Sequence, residues 1–157
     1  MTPARFIEQV ASEQEPLRRF LLMLTGGNRT DAEDIAQESL IKAYLASGRF
    51  DEKVKFRTWL FRIAYRTFLD RAKGSKPAVE PLDERLEGGD AADEAFRYEA
   101  LYQAITRLPE KSRAAVILYH LEGYTMADIA IITHSNPLAV RQRLSRGLRQ
   151  LKNILDK

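Results

Sequence analysis

The chain has 157 residues, 45% of them hydrophobic, enough apolar material for one ordinary packed domain or two small ones. The absence of cysteine excludes disulfides, thiolate zinc sites and cysteine nucleophiles. The formal net charge of +3 is unevenly spread: residues 1–72 carry 12 basic and 10 acidic side chains, residues 73–94 carry 3 and 7, and residues 95–157 carry 10 and 5.

Apolar residues recur at helical spacing nearly everywhere and no stretch alternates as a strand would, so the expected fold is all-α. Thr2-Pro3 reads as an N-cap with proline in the first turn, opening a helix that buries Phe6, Ile7 and Val10. Pro16 opens a second, with Leu17, Phe20, Leu21 and Leu24 on one side and Gly26-Gly27 as its stop. Thr30-Asp31-Ala32-Glu33 reads as a capping box for a third, with an apolar face at Ile35, Ser39, Leu40 and Ala43 and a stop at Gly48. The loop Arg49–Lys55 leads into a long helix from Phe56 to about Lys73.

Residues 74–93, with two prolines, three glycines and an acidic excess, read as a flexible acidic linker. Helical spacing restarts near Asp93 with Phe96, Leu101, Ile105 and Leu108. Pro109 opens a helix ended by Gly123, Thr125 caps a short one to about Thr133, and Asn136-Pro137 starts the last. The expected organisation is two small helical domains, 1–73 and 94–157, joined by 74–93. No run of about 18 apolar residues offers a membrane span, and the N-terminus lacks the apolar core of a signal peptide, so a cytoplasmic location without direct membrane insertion is expected.

On a helical wheel Lys55, Arg62, Arg66 and Lys73 form one basic ridge, with Phe56, Leu60, Ile63, Ala64 and Phe68 on the other side and Trp59 between. Cationic groups beside aromatic rings suit single-stranded nucleic acid; equally, Trp59 and Phe61 can be core residues under a solvated ridge. In the last helix Val140, Leu144, Leu148 and Leu151 face inward. Leu138, Gln142, Ser145, Arg146 and Arg149 face away, flanked by Arg141 and Arg143. A short capped helix, a tight corner and a basic second helix form the pattern of a helix-turn-helix reading a major groove, against the alternative of an ordinary helical hairpin. The acidic run Asp31–Glu38 is better suited to a basic protein partner than to a metal, because its first carboxylates sit in a first helical turn with no histidine beside them.

Three segments resemble the small, two-domain extracytoplasmic-function sigma factors of bacteria, in the sigma-70 family. "LTGGNRTDAEDIAQESLIKAYLA", residues 24–46, resembles the segment that docks on core RNA polymerase. "FRTWLFRIAYRTFLDRAK", 56–73, is similar to the helix that binds and melts the −10 promoter element. "LPEKSRAAVILYHLEGYTMADIA", 108–130, resembles the first part of the domain that reads the −35 element. The resemblance implies that residues 1–73 form a sigma region 2-like domain, in which Asp34, Gln37, Glu38, Ile41 and Lys42 contact polymerase. It implies that Arg49, Lys53, Lys55, Arg57, Trp59, Arg62 and Arg66 serve the −10 element, the loop Arg49–Lys55 capturing a flipped base. In a region 4-like domain, 94–157, Arg141, Gln142, Arg143, Ser145, Arg146 and Arg149 would meet the −35 element.

The implied partners are core RNA polymerase, through its β′ clamp and β flap, promoter DNA, and an anti-sigma factor. No cofactor and no metal are implied, and the protein would not be an enzyme: no nucleophile–base pair or phosphate-cradling glycine loop is present. The rivals are a sigma mimic that sequesters an anti-sigma factor and a stand-alone helix-turn-helix regulator. A mimic of the known kind carries a receiver domain, for which 157 residues leave no room; a regulator leaves residues 24–73 unexplained. At the helix-turn-helix corner His134 stands where the family usually has glycine, a left-handed position that histidine tolerates better than most residues. Replacing it with glycine is expected to leave promoter binding intact or improve it.

Overall fold

The computed structural model describes residues 1–72 and 92–156, and side chains in the second segment from residue 99 onward. Lys73, nearly all of the expected linker and the Phe96 side chain lie outside the described residues. Seven α-helices are present among those described: α1 (Pro3–Leu24), α2 (Arg29–Ala46), α3 (Phe56–Ala72), α4 (Ala92–Thr106), α5 (Glu110–Val116), α6 (Met126–Ile132) and α7 (Pro137–Leu155). A single 3₁₀ turn, Ser47–Arg49, follows α2, and a π turn, Ile117–Leu121, continues α5.

The expected break at Pro16 does not occur; α1 runs through it. Phe6, Val10, Leu17, Phe20, Leu21 and Leu24 are all buried, so one apolar stripe continues past the proline. Burial of that stripe outweighs the roughly 3 kcal/mol that an interior proline costs a helix. The same geometry corrects Ile7, which turns off the stripe and is 66% exposed. The cap of α2 is Asn28 rather than Thr30: its side-chain oxygen accepts the Asp31 amide at 3.1 Å. Glu33, the expected capping-box partner, instead forms an ion pair with Arg18 of α1.

Helices α1 to α3 pack on one another as the first domain, and α4 to α7 as the second. Thr125 and Asn136 cap α6 and α7 as read from sequence, accepting the amides of Asp128 at 3.1 Å and Ala139 at 2.9 Å. In α7, Val140, Leu144 and Leu151 face inward as expected, but Leu148 is 47% exposed. Gly147 takes the inward position instead, because only a residue without a side chain lets α7 approach Val116 and Ser112 of α5 so closely.

The corner between α6 and α7 is a complete Schellman motif, with Ser135 N donating to Ala130 O at 2.8 Å and His134 N to Ile131 O at 3.3 Å. His134 sits at φ 53°, the place Gly26 takes in the matching motif that ends α1, where Gly27 N donates to Leu22 O and Gly26 N to Met23 O. His134→Gly is therefore expected to leave unfolding stability unchanged or raised by up to about 1 kcal/mol. Denaturant unfolding checks this; a loss larger than that would mean the imidazole contributes more than the left-handed backbone costs.

The two domains lie against each other, with α3 packed on α6. Phe61 of α3 is fully buried between Phe20 of α1, stacked at 5.2 Å, and Tyr124, tilted at 5.2 Å. The Tyr65 hydroxyl donates to Glu110 at 3.3 Å, and Arg113 donates to the Leu24 carbonyl that ends α1.

Candidate functional site

Three exposed surfaces carry the residues singled out by sequence. On α2, Asp34, Gln37, Glu38, Ile41 and Lys42 all face solvent, and Ile41 is 62% exposed beside a still more exposed Leu45. Tyr44 is 49% exposed as well, so α2 leaves three large apolar side chains, at positions 41, 44 and 45, uncovered. The acidity of this face is partly offset within the domain: Arg71 at the end of α3 reaches Asp34 at 3.1 Å and Asp31 at 3.7 Å, and Lys42 pairs with Glu38 at 3.5 Å.

Between α2 and α3 lies a groove of about 480 Å³, lined by Lys42, Arg49, Trp59, Arg62 and Arg66 together with the stems of α2. The 3₁₀ turn after α2 carries Arg49 to its rim, and Phe50 packs edge-on against Trp59 at 5.0 Å. Trp59 is held a second time by Phe56 at 5.7 Å, and Phe56 by Phe6 at 5.9 Å, so the indole is braced by an aromatic cluster while remaining half-exposed. This resolves the two readings of the aromatics differently for each: Phe61 is core, whereas Trp59 borders a cationic groove. Arg66 is paired with Asp70 at 3.3 Å but exposed, and Lys42 donates to the Thr67 hydroxyl at 3.4 Å.

Lys53 and Lys55 are exposed on the loop before α3 and do not line the groove. Arg57 is separated from Arg62 by about 140° around the helix, and it turns away from the groove toward the second domain. Its guanidinium lies 4.4 Å over the Tyr124 ring and donates to the Glu122 carbonyl at 3.2 Å. Burial pushes the Tyr124 phenol up to about 12, against the pull of the neighbouring Arg57 cation. Arg62, though exposed, meets His134 Nδ1 at 3.3 Å.

The third surface is the outer side of α7. Arg141, Gln142, Ser145, Arg146 and Arg149 are exposed and Arg143 is half-buried at its edge. The helix enters this surface at its N-terminal end, directly after the Schellman corner, as a groove-reading helix requires.

Sequence reasoning missed the residues that join the domains: Arg19, Arg113, Glu122 and Tyr124. Arg19 and Glu122 lie 103 positions apart and form a bidentate pair, Nε at 2.9 Å and Nη2 at 2.8 Å. The only local signal was an acidic residue just before the glycine that stops a helix. Among the described residues no helix is long and apolar enough to cross a membrane, and no cluster of three or more histidines or carboxylates could hold a metal.

The Sigma-70 region 2 family profile matches residues 10–76 and the Sigma-70 region 4 profile residues 98–151. The chain is 32% identical over 146 residues to the ECF RNA polymerase sigma factor SigW of Bacillus subtilis, covering 82% of this chain and 78% of the relative. It is 33% identical over 139 residues to the ECF RNA polymerase sigma-E factor of Escherichia coli K12, covering 78% and 73%. Among solved structures, the fold matches the sigma factor RpoE bound to the anti-sigma factor NepR from Bartonella quintana, with a TM-score of 0.75, 23% identity and 97% of each chain covered. It also matches CnrH in complex with the cytosolic domain of CnrY, with a TM-score of 0.74, 23% identity, and 99% of this chain and 90% of the other covered. Two profiles in the order and spacing of the two helical domains, with relatives aligned across both, make this chain a member of the extracytoplasmic-function sigma factors of the sigma-70 family, the non-enzymatic subunits that direct RNA polymerase to promoters.

Proposed function

We propose a division of labour among the three surfaces. Domain one, residues 1–73, docks core polymerase through Asp34, Gln37, Glu38, Ile41 and Lys42. It also handles the −10 element through the loop Arg49–Lys55 with Arg57, Trp59, Arg62 and Arg66. Domain two, 94–157, reads the −35 element through Arg141, Gln142, Arg143, Ser145, Arg146 and Arg149. The observation that carries this reading is the groove beside α3, where Arg49, Arg62 and Arg66 surround the braced face of Trp59. Phosphates need the cations and an unstacked base needs a flat ring held in place, and the groove offers both within one concavity. A stand-alone regulator would have no use for that groove or for the exposed apolar face of α2.

The structural relatives in complex with NepR and CnrY support a polypeptide inhibitor as a further partner of this chain. The β′ clamp and β flap of polymerase are the proposed docking sites of domains one and two, and the cytoplasm, where promoter DNA is transcribed, is the proposed location.

Run-off transcription with purified core polymerase on fragmented genomic DNA tests the reading. Specific start sites and co-purification with core are expected; absence of both would overturn it in favour of the sigma mimic. Within the active complex, Arg146→Ala is expected to lower promoter-specific binding by about 1–3 kcal/mol, the contribution of one good base contact, while affinity for polymerase stays unchanged. Equal loss of both would contradict the division proposed.

A further inference from the structure

Each carboxylate of the acidic run on α2 is met by a cation from its own domain. Asp34 Oδ2 accepts a hydrogen bond from Arg71 Nη2 at 3.1 Å, and the same nitrogen lies 3.7 Å from Asp31 Oδ1. Glu38 is 3.5 Å from Lys42, one turn along the helix, and Glu33 is paired with Arg18 of α1. A face that reads as strongly acidic along the sequence thus loses most of its acidity in the fold. Arg71 is the cation that sequence spacing does not place there. It belongs to the last turn of α3, 37 positions from Asp34. It is about 140° around that helix from Arg66, so it turns to α2 and does not line the groove.

The Arg71 pairs are exposed. Arg71, Asp31 and Asp34 keep 39%, 38% and 47% of their side chains in water. Such pairs exchange readily, because water screens the attraction and two long side chains lose rotamer freedom by holding one geometry. A second cation arriving at Asp34 stands within a few ångströms of the Arg71 guanidinium and is repelled by it.

From this geometry we infer, resting on the reading of Asp34 as a polymerase contact, that Arg71 is a specificity-determining residue for docking. It holds the place on Asp34 that a partner's cation takes, so docking at Asp34 is an exchange of cations and not the filling of an open acidic site. Exchange leaves little net electrostatic gain. A partner that brings charge alone is disfavoured by the resident guanidinium, whereas one that also covers Ile41 and Leu45 is not. These two side chains, 62% and 76% exposed, lie one helical turn apart on the same side as Asp34, and their burial supplies what the exchange does not.

The test is binding of the full chain to purified core polymerase across a salt series, with circular dichroism to confirm unchanged helical content. Arg71→Gln removes the competing charge. It is expected to raise affinity by about two- to fivefold at low salt and to steepen the fall of affinity with salt. Asp34→Asn is expected to cost more affinity in the Arg71→Gln chain than in the native one, because there the carboxylate has no resident cation to give up. Unchanged or lowered affinity in Arg71→Gln, or a smaller cost of Asp34→Asn in that background, overturns the exchange and makes Arg71 a support that positions Asp34. The docking reading fails separately if neither Asp34→Asn nor Ile41→Ala weakens core binding in either background.

Discussion

Phe61→Ala is expected to cost about 3–5 kcal/mol of unfolding stability, read as a lowered denaturant midpoint. The ring is fully buried, stacked on Phe20 and tilted against Tyr124, so its removal leaves a cavity lined by residues of α1, α3 and the turn before α6. That cavity borders three separate elements, each anchored elsewhere, and their partial relaxation is what places such losses at the upper end for core truncations. Trp59→Ala supplies the contrast. Its ring is half-exposed and, among the described aromatics, packs against Phe50 and Phe56, so the stability loss is expected to be smaller while open-complex formation falls. A Phe61→Ala variant of normal stability that fails to bind single-stranded DNA would reverse this assignment and make Phe61 a stacking platform.

Gly147→Leu is expected to destabilise the second domain by about 1–3 kcal/mol and to abolish −35 binding. A Cβ at this position would lie 2.7 Å from Val116 Cγ2, closer than carbon atoms approach. Val116 is buried and β-branched, with little rotameric freedom to move aside, so α7 must shift outward from α5. The recognition residues ride on α7, and a displacement on the order of an ångström misplaces contacts whose geometry is directional. Binding to double-stranded −35 DNA and denaturant unfolding read the two effects, and docking of α2 on polymerase serves as the unaffected control. Full promoter affinity in a variant of undiminished stability would show that α7 does not need the close approach.

The local chemistry of the fold was legible because it depends on near neighbours. Thr2, Thr125 and Asn136 cap the helices they precede through their side-chain oxygens, and Gly26 and His134 occupy the left-handed ends that follow helices, a conformation glycine adopts freely and histidine tolerates. The exposure of the three proposed surfaces was legible for a related reason: each lies on one helix or on a helix and its adjoining loop, where wheel geometry is a property of the sequence itself. Where local signals competed, the sequence misled. Pro16 has the form of a helix start, and Thr30 to Glu33 that of a capping box, but the stripe from Phe6 to Leu24 and the Arg18–Glu33 pair give those residues other roles. Leu148 was read as core because periodicity cannot see that a neighbouring glycine makes the closer contact.

The sequence alone thus determined an all-α chain, most of its helix ends, its charged faces and its family, all of which follow from short-range spacing and from motifs that lie within single segments. The tertiary structure decided which aromatic is core and which is surface, and that Arg57 faces Tyr124 rather than the groove. It alone placed Glu122, 103 residues from its partner, in the apolar seam between domains. No local pattern encodes that pairing, because the pair is created only when two independently patterned helical units come together and exclude water from a charge that neither would bury alone.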